Sequence, residues 1–330
     1  MQTPSEKTSR MLLATEQEVF DQIIDANHPF RRLNEIIDFQ TLIEPMRAAY
    51  STLGANGIDV EKGVKALLSQ FWEDYSDRQM EKAVKENLAV RWFCGFSLTE
   101  ETPDYSYFSK LRKRIGTKRV SCFFEAVNGI LQTRGLFGNV FSFIDASTII
   151  SKTALWEERD CAIRDGALKL NNKNVEKYAA DVDARWGAKS ETKLWFGHKR
   201  HVAVDMRHGL IKKVAVTAAN APDFKAVSNI LPKQGAVFMD KIYDTKKTDG
   251  FVISAGCHPA TIRKNTNKEK NRDLDRFRSA VRMPFEGVFS KMSKLARYRG
   301  HAKVVMQAFF QAIVHNLKKA VRLLFPALAT

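Results

Sequence analysis

The sequence predicts an α+β or α/β chain in two parts: an all-helical N-terminal domain, then a domain with a mixed five-stranded sheet and C-terminal helices. Three observations carry this. Up to about residue 136, apolar residues recur at helical spacing. From residue 138 the period changes to short apolar runs that end on a carboxylate or a turn, as in FSFIDAS, HVAVD and VFMD. Two long helical patterns, near 272–295 and 303–324, then close the chain.

The elements follow in order. Residues 1–27 are polar and are expected to be poorly ordered or a loose helix. The helical domain spans 28–136. In DVEKGVKALLSQFWEDY, Val60, Val64, Leu67, Leu68, Phe71, Trp72 and Tyr75 lie on one helical stripe behind Asp59 as N-cap. Ser76 and Gln79 form a capping-box pattern that opens a helix expected to end near Gly95. The segment YFSKLRKRIG crowds Lys110, Arg112, Lys113 and Arg114 together, and a helix from about 117 to 134 stops at Gly135.

The second domain, 137–330, begins with the strand FSFIDAS. An insertion of charged, apolar-poor sequence (151–193) follows it. HKRHVAVDMRHGLIKKVAVT reads as two strands turning at Arg207, His208 and Gly209, with Asp205 as the hairpin cap. Pro222 opens a helix to about 231, and GAVFMD (235–240) is a buried strand. A helix near 244–255 leads to a short strand near 258–264. The C-terminal helix, with Phe309, Phe310, Ile313 and Leu317, reads as core packing or a dimer face.

Composition narrows the function. Hydrophobic content of 44% over 330 residues excludes a disordered chain. No run reaches the roughly 18 apolar residues of a membrane span, and no basic-then-apolar leader opens the chain. Cys94, Cys122, Cys161 and Cys257 lie far apart without CxxC pairing, which argues against a zinc module and fits reduced thiols in a cytoplasm. The net charge of +16 calls for a polyanion. It concentrates between Arg263 and Lys303, where 13 Lys and Arg face 4 Asp and Glu, with Phe277, Phe285, Phe289 and Tyr298 interleaved.

Two strands end on acids, at Asp145 and Asp240. Such ends lie side by side in one sheet where ligand sites form, and a third acid completes a divalent-cation site of the oxygen-rich kind that Mg²⁺ prefers. Asp244, Asp249, Glu269, Asp273, Asp275 and Glu286 are available. Glu286 stands out because Phe285, Val288, Phe289 and Met292 would pack its helix on the sheet. A strand-end Asp also serves as an ordinary turn residue, and Glu286 suits a first turn with Arg282 as its i−4 partner. His198 and His201 point to opposite faces of a strand and do not make a metal pair.

FIDAST, FGHKRHVAVDMRHGLI, VTAANAPDF, FMDKIYD and RMPFEGVFSKMSKLARYRG, in this order, resemble the catalytic half of bacterial insertion-sequence DDE transposases of the insertion-sequence-five type. HPFRRLNEIIDFQTL, YSDRQMEKAVKENLAVRWFCGFSL and TPDYSYFSKLRKRIG resemble the helical N-terminal domain of the same proteins. The resemblance runs from about His28 to Leu324.

It implies a ribonuclease-H-like catalytic domain. It also implies a transposase that binds the terminal inverted repeats of an insertion sequence and carries out DNA cleavage and strand transfer. Its catalytic and metal-binding acids fall on Asp145, Asp240 and Glu286, the last in an R-x-x-x-E pattern with Arg282. The positions of a Tyr and a Lys that related transposases carry around this pattern are Ser279 and Ser293 here, with Lys291 and Lys294 nearby. The implied cofactor is Mg²⁺ or Mn²⁺, as two ions bridged by Asp145, serving first water and then a freed 3′-hydroxyl as nucleophile. No covalent protein–DNA intermediate is needed. The implied partners are double-stranded DNA, at the repeats and the target, and a second copy in a dimer or higher assembly, in a bacterial cytoplasm on the nucleoid. Lys199, Arg282, Lys291, Lys294, Arg297 and Arg299 are the expected phosphate contacts in the second domain, and Lys110, Arg112, Lys113 and Arg114 in the first. A transposase-derived DNA-binding protein without chemistry and a nuclease acting by hydrolysis alone are the alternatives.

Overall fold

A computed structural model describes residues 14–50, 57–151, 179–190 and 193–326. The chain divides into two compact units, one running to Thr133 and including the chain from Asn316 onward, the other Arg134–His315.

The first unit is helical: α1 (Ala14–Ile23), α2 (Pro29–Ile36), α3 (Phe39–Leu42), α4 (Glu44–Arg47), α5 (Val60–Trp72), α6 (Asp77–Glu86), α7 (Leu88–Cys94) and α8 (Tyr105–Thr133). The capping signals act as expected. Asp59 accepts from the Glu61 amide, and Ser76 with Gln79 forms the complete box. The run expected as one helix to Gly95 is two. Asn87 ends α6 in an extended conformation, and its side chain caps α7 by accepting from the Val90 amide. Gly95, at φ 83°, supplies the left-handed stop. α8 breaks at Gly116 (φ 71°, ψ 165°), a conformation essentially confined to glycine.

The core of this unit is aromatic. Phe30 stacks on Phe93 with centroids 4.5 Å apart, and Phe39 meets Phe93 edge-on. From Ala14 the N-terminal segment is helical. α1 is held because Phe20 and Ile24, one turn apart, are buried, and Arg31 donates to both of their carbonyls. Residues 1–13 lie outside the described residues.

The second unit contains β1 (Phe141–Ile150), β2 (Arg185–Ser190), β3 (Lys193–Asp205), β4 (Ile211–Ala218), α9 (Phe224–Ile230), β5 (Gly235–Met239), a 3₁₀ turn (Lys241–Tyr243), α10 (Lys246–Ser254), β6 (Cys257–Thr261), α11 (Arg272–Ser290) and α12 (His301–Leu324). The sheet has six strands, in the order β2-β3-β1-β5-β6 with β4 pairing on β3. β1 runs antiparallel to β3 and parallel to β5, so the sheet is mixed as expected. The added strand is β2, in the tail of the charged insertion. Its sequence, RWGAKS, is too short and polar to show strand periodicity, and pairing with Lys193–Gly197 holds it. The rest of that insertion, 152–178 and 191–192, lies outside the described residues.

Both sheet faces are covered. Ile144, Ala203, Val237 and Met239 pack against Val227 and Ile230 of α9 and Val252 of α10. The opposite face carries Phe143 against Phe289 of α11, and Ile149 with Val304 and Ala308 of α12. α12 crosses the division between the two compact units. From Asn316 onward α12 belongs with the first unit, where Asn316 donates to Asn128 and Lys318 to the Trp72 carbonyl.

Candidate active site

Alternation along β1 decides where Asp145 points. Phe143, Asp145, Ser147 and Ile149 share one face, the face covered by α11 and α12. Asp145 lies opposite Val202 on the antiparallel neighbour. β5 pairs Phe143 with Phe238 and Ile144 with Met239, so Asp240, one residue past the strand, returns to the face of Phe238 and Asp145. Asp145 in mid-strand and Asp240 just past the end of β5 thus stand on one face. The expectation that the first strand ends on its acid is corrected: pairing with β3 carries β1 on to Ile150.

Glu286 reaches the same region from α11. Val288 and Met292 are buried, and Phe289 meets Phe143 edge-on with centroids 6.2 Å apart, as the apolar spacing of the helix predicts. The segment after α11 is tied down too: the Ile150 amide donates to the Lys294 carbonyl at 2.7 Å, and the Ala296 amide to the Ile150 carbonyl at 2.8 Å. Over most of its length α11 is poorly covered, Asp275 and Val288 being its buried residues.

Asp145 is half-buried and accepts from the Ala146 amide at 2.8 Å. Burial pushes its carboxyl up to about 6, and the charges of Asp240 and Glu286 add to the rise while Arg282 opposes it. The three acids therefore share one electrostatic neighbourhood with Arg282. The Arg282 guanidinium donates to Glu286 Oε1 at 2.9 Å, lies 3.5 Å from Asp240 Oδ1, and sits 5.3 Å from the centre of the Phe143 ring. Among the described residues, no three acid, histidine or cysteine side chains stand close enough to hold an ion as they are. The guanidinium takes up the space between two of the acids.

Of the other candidate acids, Glu269 and Asp273 are exposed and the rest have internal work. Asp244 accepts from Arg263, the Lys264 amide and Asn267, which hold its carboxyl below the usual range against the effect of burial. Asp249 pairs with Arg263, and Asp275 accepts from the Arg263 amide and from Arg278. Asp205 caps the β3–β4 turn through the Arg207 and His208 amides, as its position suggests. His198 and His201 do face opposite ways. One bonds Asp181 and the other Thr217, and burial holds His201 down to about 4.

The basic residues separate into two groups. Lys199 is turned inward, donating to Asp223 at 2.8 Å and to the Ala221 carbonyl, and does not present itself to a phosphate. Arg112 is likewise buried, in a two-pronged pair with Asp77. Each takes a carboxylate partner because an unpaired charge at that depth is costly. Lys291, Lys294 and Arg299 are exposed, and Arg297 is half-buried. Lys110, Lys113 and Arg114 are exposed on α8 at i, i+3 and i+4, which places them on one helical face.

Sequence reading overlooked the polar layer between β3 and α12. Arg200 is fully buried, donates to Ser147 Oγ at 3.2 Å and Gln311 Oε1 at 2.6 Å, and burial lowers it to about 10. Gln307, Gln311 and His315, one turn apart, anchor in succession the Arg297 amide, Arg200 and the Gly209 carbonyl. That i, i+4, i+8 polar stripe inside an apolar helix was the available signal. A second buried knot joins Asp181 to Ser151, His198 and the Gly300 amide. A concavity of about 790 Å³ in the first unit, lined by Ile23, His28, Tyr75 and Leu88 among others, contains none of the three acids.

A mixed sheet with helices on both faces, preceded by a helical unit and ending in long helices, is the architecture of a ribonuclease-H-like DDE transposase. Residues 142–317 match the family described as Transposase DDE domain, and residues 18–114 match the Transposase domain (DUF772). The chain belongs to the DDE transposases, of the insertion-sequence-five-like kind. No solved structure matches it. No helix among the described residues is long and apolar enough to cross a membrane.

Proposed function

We propose that this transposase binds the terminal inverted repeats of its insertion sequence and catalyses cleavage and strand transfer through Asp145, Asp240 and Glu286. The observation that best supports this is geometric: Arg282 bridges Asp240 and Glu286 on the sheet face that also carries Asp145. The donor set is three carboxylates, the oxygen chemistry of Mg²⁺ or Mn²⁺. Burial is the main cause of the raised Asp145 carboxyl, and a cation beside it would favour the charged form.

The three acids would hold two divalent ions, which when bound polarise the phosphoryl group and make water or a 3′-hydroxyl nucleophilic at neutral pH. Asp145, as the central ligand, would serve both. Arg282 holds the Asp240 and Glu286 side chains in orientation. Lys291, Lys294, Arg297 and Arg299 contact phosphates and fix the strand, and Lys110, Lys113 and Arg114 serve the repeat-binding unit. The active form is a dimer or higher assembly on double-stranded DNA, so that two ends are processed together, in the bacterial cytoplasm.

The test is incubation with Mg²⁺ or Mn²⁺ and DNA bearing the native terminal repeats. A freed 3′-hydroxyl followed by joining to target DNA is the expected result. Nicking without joining would assign a hydrolytic nuclease, and binding without any cleavage a transposase-derived DNA-binding protein.

A further inference from the structure

Arg282 is almost enclosed, with 11% of its side chain exposed, yet the two acids it bridges are open, Asp240 at 39% and Glu286 at 50%. It lies on α11 one helical turn before Glu286, so the contact to Glu286 is local. The contact to Asp240 crosses from the helix to the end of β5. Among the described residues, its Nε and Nη1 have no hydrogen-bond partner. The guanidinium has therefore left much of its planar donor fork unused. The Phe143 ring beside it offers a second resting surface for the charge. Pro284 lies between Arg282 and Glu286 and lacks a backbone N–H to donate to the helix, so the backbone here is less firmly held than in an unbroken helix.

We propose that Arg282 and a divalent cation compete for the carboxylates of Asp240 and Glu286, so that cation loading releases the guanidinium to grip a DNA phosphate. This rests on the proposed acid site and adds its regulation. A cation held by that pair needs the space and the oxygens that Arg282 uses. Once displaced, the guanidinium remains beside the site on the Phe143 ring with a free fork suited to two phosphate oxygens. Cation and DNA binding then reinforce each other, and by linkage each tightens the other by the same factor.

The experiment measures Mn²⁺ affinity in the absence of DNA, from the electron paramagnetic resonance signal of free Mn²⁺, for the wild type, Arg282→Met, Arg282→Lys and Glu286→Gln. Folding is checked by circular dichroism. Terminal-repeat DNA affinity is measured with and without Mn²⁺. Arg282→Met should bind Mn²⁺ about tenfold more tightly than the wild type, the factor expected from losing one competing charged hydrogen bond. The DNA affinity of the wild type should rise with Mn²⁺, and that of Arg282→Met should not. Arg282→Lys, whose single ammonium spans the two acids poorly, should fall between, and it carries the test if Arg282→Met does not fold. Equal Mn²⁺ affinity in wild type and variants, or an undiminished Mn²⁺ effect on DNA binding in Arg282→Met, overturns the competition and leaves the acid site standing. Mn²⁺ affinity in the wild type that Glu286→Gln leaves untouched overturns the acid site and the competition with it.

Discussion

Phe143 of β1 meets Phe289 of α11 edge to face, with ring centroids 6.2 Å apart. One ring stands two residues before Asp145 on the same sheet face, and the other three residues after Glu286. This pair sets the distance between the strand that carries the first acid and the helix that carries the third. Because α11 buries little else, Phe289→Ala should cost DNA cleavage far more than it costs the fold. The expected loss of stability is about 2 kcal/mol, below the range for a fully buried Phe because Phe289 is half-buried. Cleavage should fall at least tenfold, with Phe289→Leu in between. Thermal melts alongside cleavage rates check this.

Asp145 gives a pH dependence with a definite sign. Burial raises its carboxyl from the ordinary range to about 6. Between about pH 4 and 6 the folded protein therefore holds a proton that the unfolded chain has lost, and stability falls as pH rises through that window. Asp145→Asn removes the loss. In chelator at pH 7.5 its melting temperature should exceed that of the wild type by several degrees, on the order of 2 kcal/mol, and the two should converge near pH 4. Added Mn²⁺ should raise the wild type towards the variant. A variant that melts below the wild type at pH 7.5 contradicts this account.

Backbone crowding sets a third expectation. Gly197 lies in β3 at φ 154°, and a Cβ there would come within 2.1 Å of the Ile149 carbonyl oxygen on β1. The obstacle is backbone and cannot rotate away. Gly197→Ala should therefore lose about 3 kcal/mol or more and weaken the β1–β3 pairing that aims Asp145. Denaturant unfolding measures it. Gly250, where an added Cβ would meet nothing within 4 Å, should accept Ala with little change.

The basic residues should behave as two classes. Lys199 and Arg112 are committed to Asp223 and Asp77. Lys199→Met or Arg112→Met should cost about 2 kcal/mol or more of stability and leave the salt dependence of DNA binding nearly unchanged. Lys294→Ala and Arg299→Ala should leave stability nearly untouched and each lower the log–log salt slope by about 1. Fluorescence anisotropy across a salt series separates the two outcomes.

Helices with caps and strands with apolar alternation were legible in the sequence. Ser76 and Gln79 stated the start of α6, and Phe285, Val288 and Phe289 stated which side of α11 would meet the sheet. Asp240 and Arg282 could be placed because a strand end and i+4 spacing are local properties, whereas β1 runs on past Asp145 to Ile150 because β3 pairs with it there. What stayed hidden depends on distant partners. β2 is too polar to announce itself and exists through β3. The inward turn of Lys199 depends on Asp223, 24 residues away, and the burial of Arg200 depends on Gln311, 111 residues away. The Asn87 break stayed hidden because its apolar flanks continue a helical pattern on both sides.

The central claim is that Asp145, Asp240 and Glu286 act together on DNA. Its most direct test is Mn²⁺-dependent cleavage of terminal-repeat DNA by the wild type, Asp145→Asn, Asp240→Asn and Glu286→Gln, with repeat binding measured on the same preparations. Each variant should still bind the repeats and lose cleavage by at least a thousandfold, about 4 kcal/mol of barrier. Cleavage that survives in all three at near wild-type rates would contradict the central claim.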